Sequence, residues 1–333
     1  MNGIEKFFTN IWYQKNYIHW LFLPVTLVFY LLSSIKFFLY KTSFLKSYKS
    51  HTPIIVVGNI TTGGTGKTPF IIYLYHQLQQ NNITAAIISR GYGKDDHGKI
   101  IRITETTKTR ESGDEARLIF KETKAILYVG SDRVKVVKKI NKNHQVDVIL
   151  SDDGMQHYQM GRDMELCLID NIRKFGNKLC LPAGPLREPI WRLKFCQHII
   201  YQQQEDNQKK DNSFFLKHTK LINIKSGQQK PIDYFKNEKI IYAVAGIGNP
   251  DRFFKQLKKI NNVIICKSYA DHYQYKIDDF NFANNKNIIM TAKDMVKCAN
   301  FNNKNLWYVA TDLQANNNLK LTIKGIIKWI QNY

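Results

Sequence analysis

The chain opens on a long apolar run. Counting His19 as neutral, no formal charge falls between Asn16 and Ile35, and from Trp20 the residues read WLFLPVTLVFYLLSSI. About 20 apolar residues suffice to cross a bilayer as a helix, so the run predicts a membrane helix with Pro24 interrupting it near its start. Aromatic residues stand at both ends, Tyr13, Tyr17 and Trp20 before and Phe37, Phe38 and Tyr40 after, where interfacial belts form. Lys36, Lys41, Lys46 and Lys49 follow the run, whereas Lys6 and Lys15, opposed by Glu5, precede it. The heavier positive flank puts the C-terminal side in the cytoplasm. A signal peptide, a buried soluble helix and a helix lying in the interface are the competing readings. The length of the run, and the lack of an A-x-A-like site after it, favour an anchor.

Beyond the run the pattern changes to short β-branched segments alternating with helical spacing. Strands are expected at 51–59, 83–89, 126–129, 146–150 and 165–169, with helices over 69–80, 114–122 and 133–140. Residues 203–230 contain QQEDNQKKDNS, too polar for a core element, and are expected as surface loop. The alternation then resumes, with strands at 240–245, 263–268, 288–291 and 306–310 and a helix from Asp251. Such alternation implies α/β architecture, a mostly parallel sheet flanked by helices. The division that follows is an N-terminal membrane segment (1–45), a P-loop-bearing core (46–215) and a smaller α/β lobe (216–333).

Composition refines this picture little. The 333 residues suit two domains, and 44% hydrophobic content is ordinary for a globular chain. The net charge of +22 favours phosphates or acidic lipids as partners. It also follows from a chain rich in Lys, Asn and Ile. The basic residues are dispersed rather than striped and form no recognised nucleic-acid module, so no nucleic-acid partner is expected. Five cysteines without a C-x-x-C pair argue against a disulfide framework or a zinc site.

The chemistry concentrates in two places. Thr61, Thr62, Gly63, Gly64, Thr65, Gly66, Lys67 and Thr68 follow a strand and open a helix, the context a P-loop requires. Backbone N–H groups and the helix N-terminus would cradle phosphates. Lys67 would reach the β- and γ-phosphates, and Thr68 would ligate Mg²⁺. The first position holds Thr61 where the strict pattern has glycine, and Gly63 and Gly64 are expected to supply the flexibility. Second, the strand ending at Leu150 runs into Ser151, Asp152 and Asp153. An aspartate there holds Mg²⁺ beside a P-loop, and both are candidates. Further polar groups at strand ends are Ser89-Arg-Gly-Tyr92, Gly113-Asp-Glu115, Ser131-Asp-Arg133 and Arg187-Glu188. Asp271-His272 lies in the second lobe.

Together these motifs resemble the lipid A 4′-kinase (tetraacyldisaccharide 4′-kinase) family. The resemblance rests on GNITTGGTGKTP (58–69), SRGYG (89–93), GDEA (113–116), SDR (131–133), DDGMQHY (152–158), RD (162–163), FGN (175–177), LPAGPLREP (181–189), AGIGNPDRFF (245–254), DHYQY (271–275) and MTAKDMVK (290–297), and spans most of the chain. It implies ATP- and Mg²⁺-dependent phosphorylation of the 4′-hydroxyl of a tetraacylated glucosamine disaccharide 1-phosphate, at the cytoplasmic face of a bacterial inner membrane, with no obligate protein partner. Carried over by motif, Asp114 and His272 would act together in activating the acceptor hydroxyl. Asp152 and Asp153 would lie near Mg²⁺, and Arg133 would face the phosphates. Ala116 and Met155 are departures where relatives often carry proline, and leucine or phenylalanine. Neither position is charged or metal-binding. A membrane-associated P-loop ATPase switch is the alternative function, although Thr62 stands where a second loop lysine would support it.

Overall fold

The computed structural model describes residues 3–14, 17–91, 98–205, 211–260 and 264–333. Tyr92 and Gly93 of the SRGYG stretch, residues 206–210 of the polar run and Val263 lie outside them. Helix α1 (Gly3–Tyr13) and a 3₁₀ turn (Tyr17–Phe22) lead into α2 (Leu23–Lys41). The P-loop-bearing half runs β1 (Ile54–Gly58), α3 (Lys67–Gln79), β2 (Ala85–Ser89), β3 (Ile101–Arg102), α4 (Thr109–Ser112), α5 (Asp114–Thr123), β4 (Ile126–Val129), α6 (Arg133–Asn143), β5 (Val148–Asp152), β6 (Met164–Asp170) and β7 (His198–Gln203). Then follow β8 (Ser213–Asn223), β9 (Gln229–Pro231), β10 (Ile241–Ala245), α7 (Pro250–Lys258), β11 (Ile264–Ser268), β12 (Ile288–Thr291), α8 (Ala292–Cys298), β13 (Leu306–Ala315) and α9 (Asn317–Gln331).

The described strands form one sheet in the order β11-β10-β12-β13-β8-β7-β6-β1-β5-β2-β4-β3, with β9 beside β8. Pairing is parallel except for β8–β13, β8–β9 and β3–β4. Every residue of β1, β2, β5 and β6 is buried, as expected of parallel strands covered on both faces. That explains why they read in sequence as continuous apolar runs. On one face Phe70, Ile71 and Leu74 of α3 pack with Ile119 of α5 and Ile323 and Ile326 of α9. On the other, Val136, Val137 and Ile140 of α6 pack with Met155 and Met160.

The second half departs from expectation. Residues 213–223, read as part of a loop, form the eleven-residue strand β8, whose Phe214 and Leu221 are buried. It bridges β7 and β13, so the sheet continues without a break through the polar region. Strand β13 runs on to Ala315, and α9 follows it with Leu319, Ile323, Ile326, Ile327 and Ile330 turned inward.

At the N-terminus, Pro24 starts α2 rather than interrupting it. It occupies the first turn, where a missing N–H breaks no helical bond. Nineteen residues at 1.5 Å each give a helix of about 28 Å, close to the thickness of a hydrocarbon core. Leu21, Val25, Leu27 and Leu32 are more than half exposed. Phe37 is not part of an outer aromatic belt. It is 5% exposed and packs on Tyr158, Trp191 and Phe195, with the Arg192 guanidinium 4.7 Å from its ring centre. Both N-terminal helices also grip the 177–183 loop. The Trp12 indole N–H donates to the Pro182 carbonyl at 2.9 Å, and the Ala183 N–H donates to the Thr26 hydroxyl at 3.0 Å.

Candidate active site

Strand β1 delivers the chain into the P-loop, and the loop delivers it into α3. Gly63 has φ +102° and Gly66, just before the first turn of α3, has φ +75°, a region in which side-chain-bearing residues are strained. The flexible positions are therefore Gly63 and Gly66. Gly64 does not take positive φ and faces open space. Thr61 departs from the expected cradle. It is buried, bridges Leu186 and accepts from the Asn59 amide at 3.4 Å. Its φ is not positive, so threonine fits where other loops use glycine. Thr62 to Thr68 line a cleft of 1810 Å³.

The same cleft is lined by Ser89, Arg90, Glu115, Asp152, Asp153, Arg187, Asp271, His272 and Lys293. At the end of β5 the two aspartates have opposite environments. Asp153, with φ +50°, lies 3.5 Å from the Lys67 ammonium and takes both carboxylate oxygens to Arg187, at 3.0 and 3.1 Å. Burial alone would raise its pKa, but the Lys67 and Arg187 charges hold it near about 2. Asp152 is 2% exposed. Burial, with Glu115 and Asp153 nearby, pushes it up to about 7 against Lys67 and Arg133. One of its oxygens accepts from the Ser89 hydroxyl at 3.2 Å, and the other is buried without a hydrogen-bond partner. An orphaned carboxylate oxygen at the end of the strand beside the P-loop, with Thr68 also on the cleft, fits a hard cation that takes oxygen ligands. No cluster of three or more His, Cys, Asp or Glu residues poised for a metal occurs among the described residues.

Arg133 is not placed where the sequence suggests. It is 2% exposed, does not line the cleft, and donates to the backbone carbonyl of Asp152 at 2.7 Å. Burial brings its pKa down to about 10. Opening α6 beneath the end of β5, it braces the Asp152 backbone from behind the cleft. Arg187, whose motif was visible but whose role was not, is the guanidinium that reaches the Asp153 carboxylate.

Across the cleft, the histidine Nδ1 of His272 lies 3.0 Å from Asp114 Oδ2. Asp114 opens α5 and His272 follows β11, so the fold joins residues 158 positions apart in sequence. Asp114 is 3% exposed. Burial works to raise its pKa, while the His272 hydrogen bond and the Lys297 and Lys293 charges hold it below the usual carboxylate range. His272 lines the cleft and Asp114 sits behind it. Lys293 lies 3.4 Å from Glu115 and 3.3 Å from Asp271, tying α5 to the loop after β11.

A second group of charges escaped sequence reasoning. Arg192, 2% exposed, makes two bonds to Glu165 at 2.6 and 2.7 Å and lies 3.9 Å from Glu188. Arg162 reaches Glu165 at 3.0 Å, and the Tyr158 hydroxyl donates to Glu188. This buried network adjoins Arg187 in sequence and Phe37 of α2 in space.

The model of the family described as tetraacyldisaccharide-1-P 4′-kinase matches residues 18–328. A protein of Ruthia magnifica subsp. Calyptogena magnifica named tetraacyldisaccharide 4′-kinase is 41% identical over 298 residues, covering 90% of this chain and 94% of its own. One of the same name from Pseudomonas fluorescens (strain SBW25) is 40% identical over 265 residues, 80% and 79% of the two chains. A crystal structure of LpxK from Aquifex aeolicus in complex with ATP superposes with a TM-score of 0.78 at 26% identity, over 93% of this chain and 99% of that one.

Proposed function

The chain belongs to the tetraacyldisaccharide 4′-kinase family and is an ATP-dependent kinase of lipid A biosynthesis; we propose that its cleft moves the γ-phosphoryl of ATP to the 4′-hydroxyl of a tetraacylated glucosamine disaccharide 1-phosphate. The observation that supports this most is that the P-loop and His272, backed by Asp114, open onto one cleft. Phosphoryl transfer needs little from a protein beyond positioning and charge, and both are present.

The triphosphate lies along residues 62–68, against backbone N–H groups and the N-terminus of α3. Lys67, tethered in this structure by Asn59 and Asp153 at 3.2 and 3.5 Å, turns onto the β- and γ-phosphates. Arg187, held on Asp153, faces the same charge. Thr68 and Asp152, with Asp153, would hold Mg²⁺, which supplies neutralising charge on the phosphate oxygens. The His272–Asp114 pair accepts the proton of the attacking hydroxyl. General-base help of this kind is worth about 10²–10⁴-fold.

Residues 46–215, with α9 packed beside α3, act as the nucleotide-binding core, and the rest of 216–333 as the lobe that contributes His272. Segment 1–45 holds the enzyme at the cytoplasmic face of the inner membrane. Four acyl chains keep the acceptor in the bilayer, since each buried CH₂ contributes about 0.8 kcal/mol. The exposed apolar face of α2 and Lys36, Lys41, Lys46 and Lys49 suit an anionic surface. The test is transfer of label from γ-labelled ATP to detergent-dispersed tetraacylated disaccharide 1-phosphate, beside Lys67→Ala and Asp114→Asn. Lipid labelled by wild type and by neither variant is expected. ATP hydrolysis without lipid labelling would overturn the reading in favour of an ATPase switch.

A further inference from the structure

Behind His272, a lysine whose side chain has no solvent contact stands beside the same carboxylate. Lys297 lies on α8, Asp114 opens α5, and the two helices pack against each other. The Lys297 side chain is 0% exposed, and its ammonium lies 2.8 Å from Asp294 Oδ1 and 3.7 Å from Asp114 Oδ2. It also donates to the Gly246 carbonyl at 3.4 Å and stands 5.1 Å from the centre of the Tyr275 ring. Asp294 is itself fixed. It accepts from the Gly246 N–H at 3.1 and 3.2 Å and from the Thr291 hydroxyl at 2.7 Å.

We propose that Lys297 is a positioning residue of the transfer site, holding Asp114 ionised and turned toward His272 through an ion pair anchored on Asp294. This rests on the reading of the His272–Asp114 pair as acceptor of the hydroxyl proton. The other charges around Asp114 are His272 and Asp271 from the loop after β11, Lys293 from α8, and Glu115 beside it on α5. Lys293 is engaged by Glu115 and Asp271, whereas Lys297 is the lysine whose ammonium lies within ion-pair distance of Asp114. A wholly buried ammonium is unfavourable unless paired and hydrogen-bonded. Asp294 alone would satisfy one charge with one charge. The approach of the same ammonium to a second carboxylate, on a helix from the other half of the chain, is what a merely structural pair does not require. Burial works to raise Asp114, and the His272 hydrogen bond first, then the Lys297 charge, holds it below the usual carboxylate range.

The experiment is the pH dependence of kcat/KM for the lipid in wild type, Lys297→Met, Lys297→Arg and Asp114→Asn. Removing the cation raises the pKa of Asp114, so the acid limb of the Lys297→Met profile moves to higher pH. A shift of about one unit is expected, the low end of what an opposite charge at this range produces, and activity on the acid limb falls about ten-fold. Lys297→Arg restores the limb, and KM for ATP is unchanged in both. An acid limb that stays in place in Lys297→Met while Asp114→Asn is inactive overturns the proposal. A fully active Asp114→Asn instead removes the reading beneath it. If Lys297→Met does not fold, Lys297→Met/Asp294→Asn removes both charges of the pair, and the same measurement with the same two outcomes decides.

Discussion

Replacing Arg192 with methionine keeps a long side chain and removes one charge from the buried network beside the Arg187 loop. Arg192 is 2% exposed and bonds twice to Glu165, whose side chain is 7% exposed. Without it Glu165 keeps Arg162 at 3.0 Å, while Glu188, 3% exposed, loses its nearby guanidinium. Breaking one side of a buried pair costs about 3–5 kcal/mol, a large part of the 5–15 kcal/mol that holds a typical fold. Removing the partner as well, in Arg192→Met/Glu165→Gln, should return more than half of that loss. Urea denaturation of the four members of the cycle gives the coupling directly. The pH dependence has a defined sign. Burial works to raise Glu165, and Arg192 and Arg162 hold it below the ordinary carboxylate range. Its contribution is therefore complete above the unfolded carboxylate pKa and is lost as pH falls through the depressed folded value. The difference between wild type and Glu165→Gln should shrink in acid. A loss under 1 kcal/mol for Arg192→Met, or a double variant no better than the single, would refute the argument that this network is a closed electrostatic unit.

Gly66→Ala forces a Cβ into φ +75°, 3.1 Å from the Phe214 ring and 3.2 Å from the Gln202 amide. A left-handed penalty of about 1–2 kcal/mol should weaken ATP binding about ten-fold in a titration with a fluorescent analogue, and unchanged affinity would show that the loop relaxes freely. Thr26→Val removes the acceptor of the Ala183 N–H. An unsatisfied buried donor costs about 1–3 kcal/mol, so the variant should lose thermal stability and kcat together while still pelleting with liposomes. Leu27→Asp/Leu32→Asp puts charges on the exposed face of α2, at about 2.5–3.5 kcal/mol each if that face meets hydrocarbon. Co-sedimentation with anionic vesicles should be lost and ATP affinity kept, and retained sedimentation would remove the membrane role from this face.

The sequence made some of this legible and hid the rest for identifiable reasons. Strands β1 and β5 and the loops after them are local features, in which each residue's role follows from its immediate neighbours. Placing Thr62 to Thr68 beside Asp152 and Asp153 required only the rule that strand ends meet on one edge of a parallel sheet. Strand β8 was hidden because Lys217, His218, Thr219 and Lys220 interrupt its apolar positions, and its place is fixed by pairing with β7 and β13. The spacing of Leu319, Ile323, Ile326, Ile327 and Ile330 does carry a helical period for α9. Arg133 was legible as a cation but not as a buried one, since only the packing of α6 under β5 removes it from the cleft. Arg192, Glu165 and Glu188 meet through tertiary structure alone, as do Lys297 and Asp114.

The position of α9 has a consequence for how the protein is made. This helix covers the face of the sheet beside α3, in the nucleotide-binding half, yet the ribosome makes it after every strand described here. During synthesis that face waits with part of its apolar surface uncovered while the later residues emerge. Exposed apolar surface and unpaired strand edges make incomplete chains prone to aggregate. The order of segments that serves the finished enzyme therefore also bears on whether the unfinished one survives.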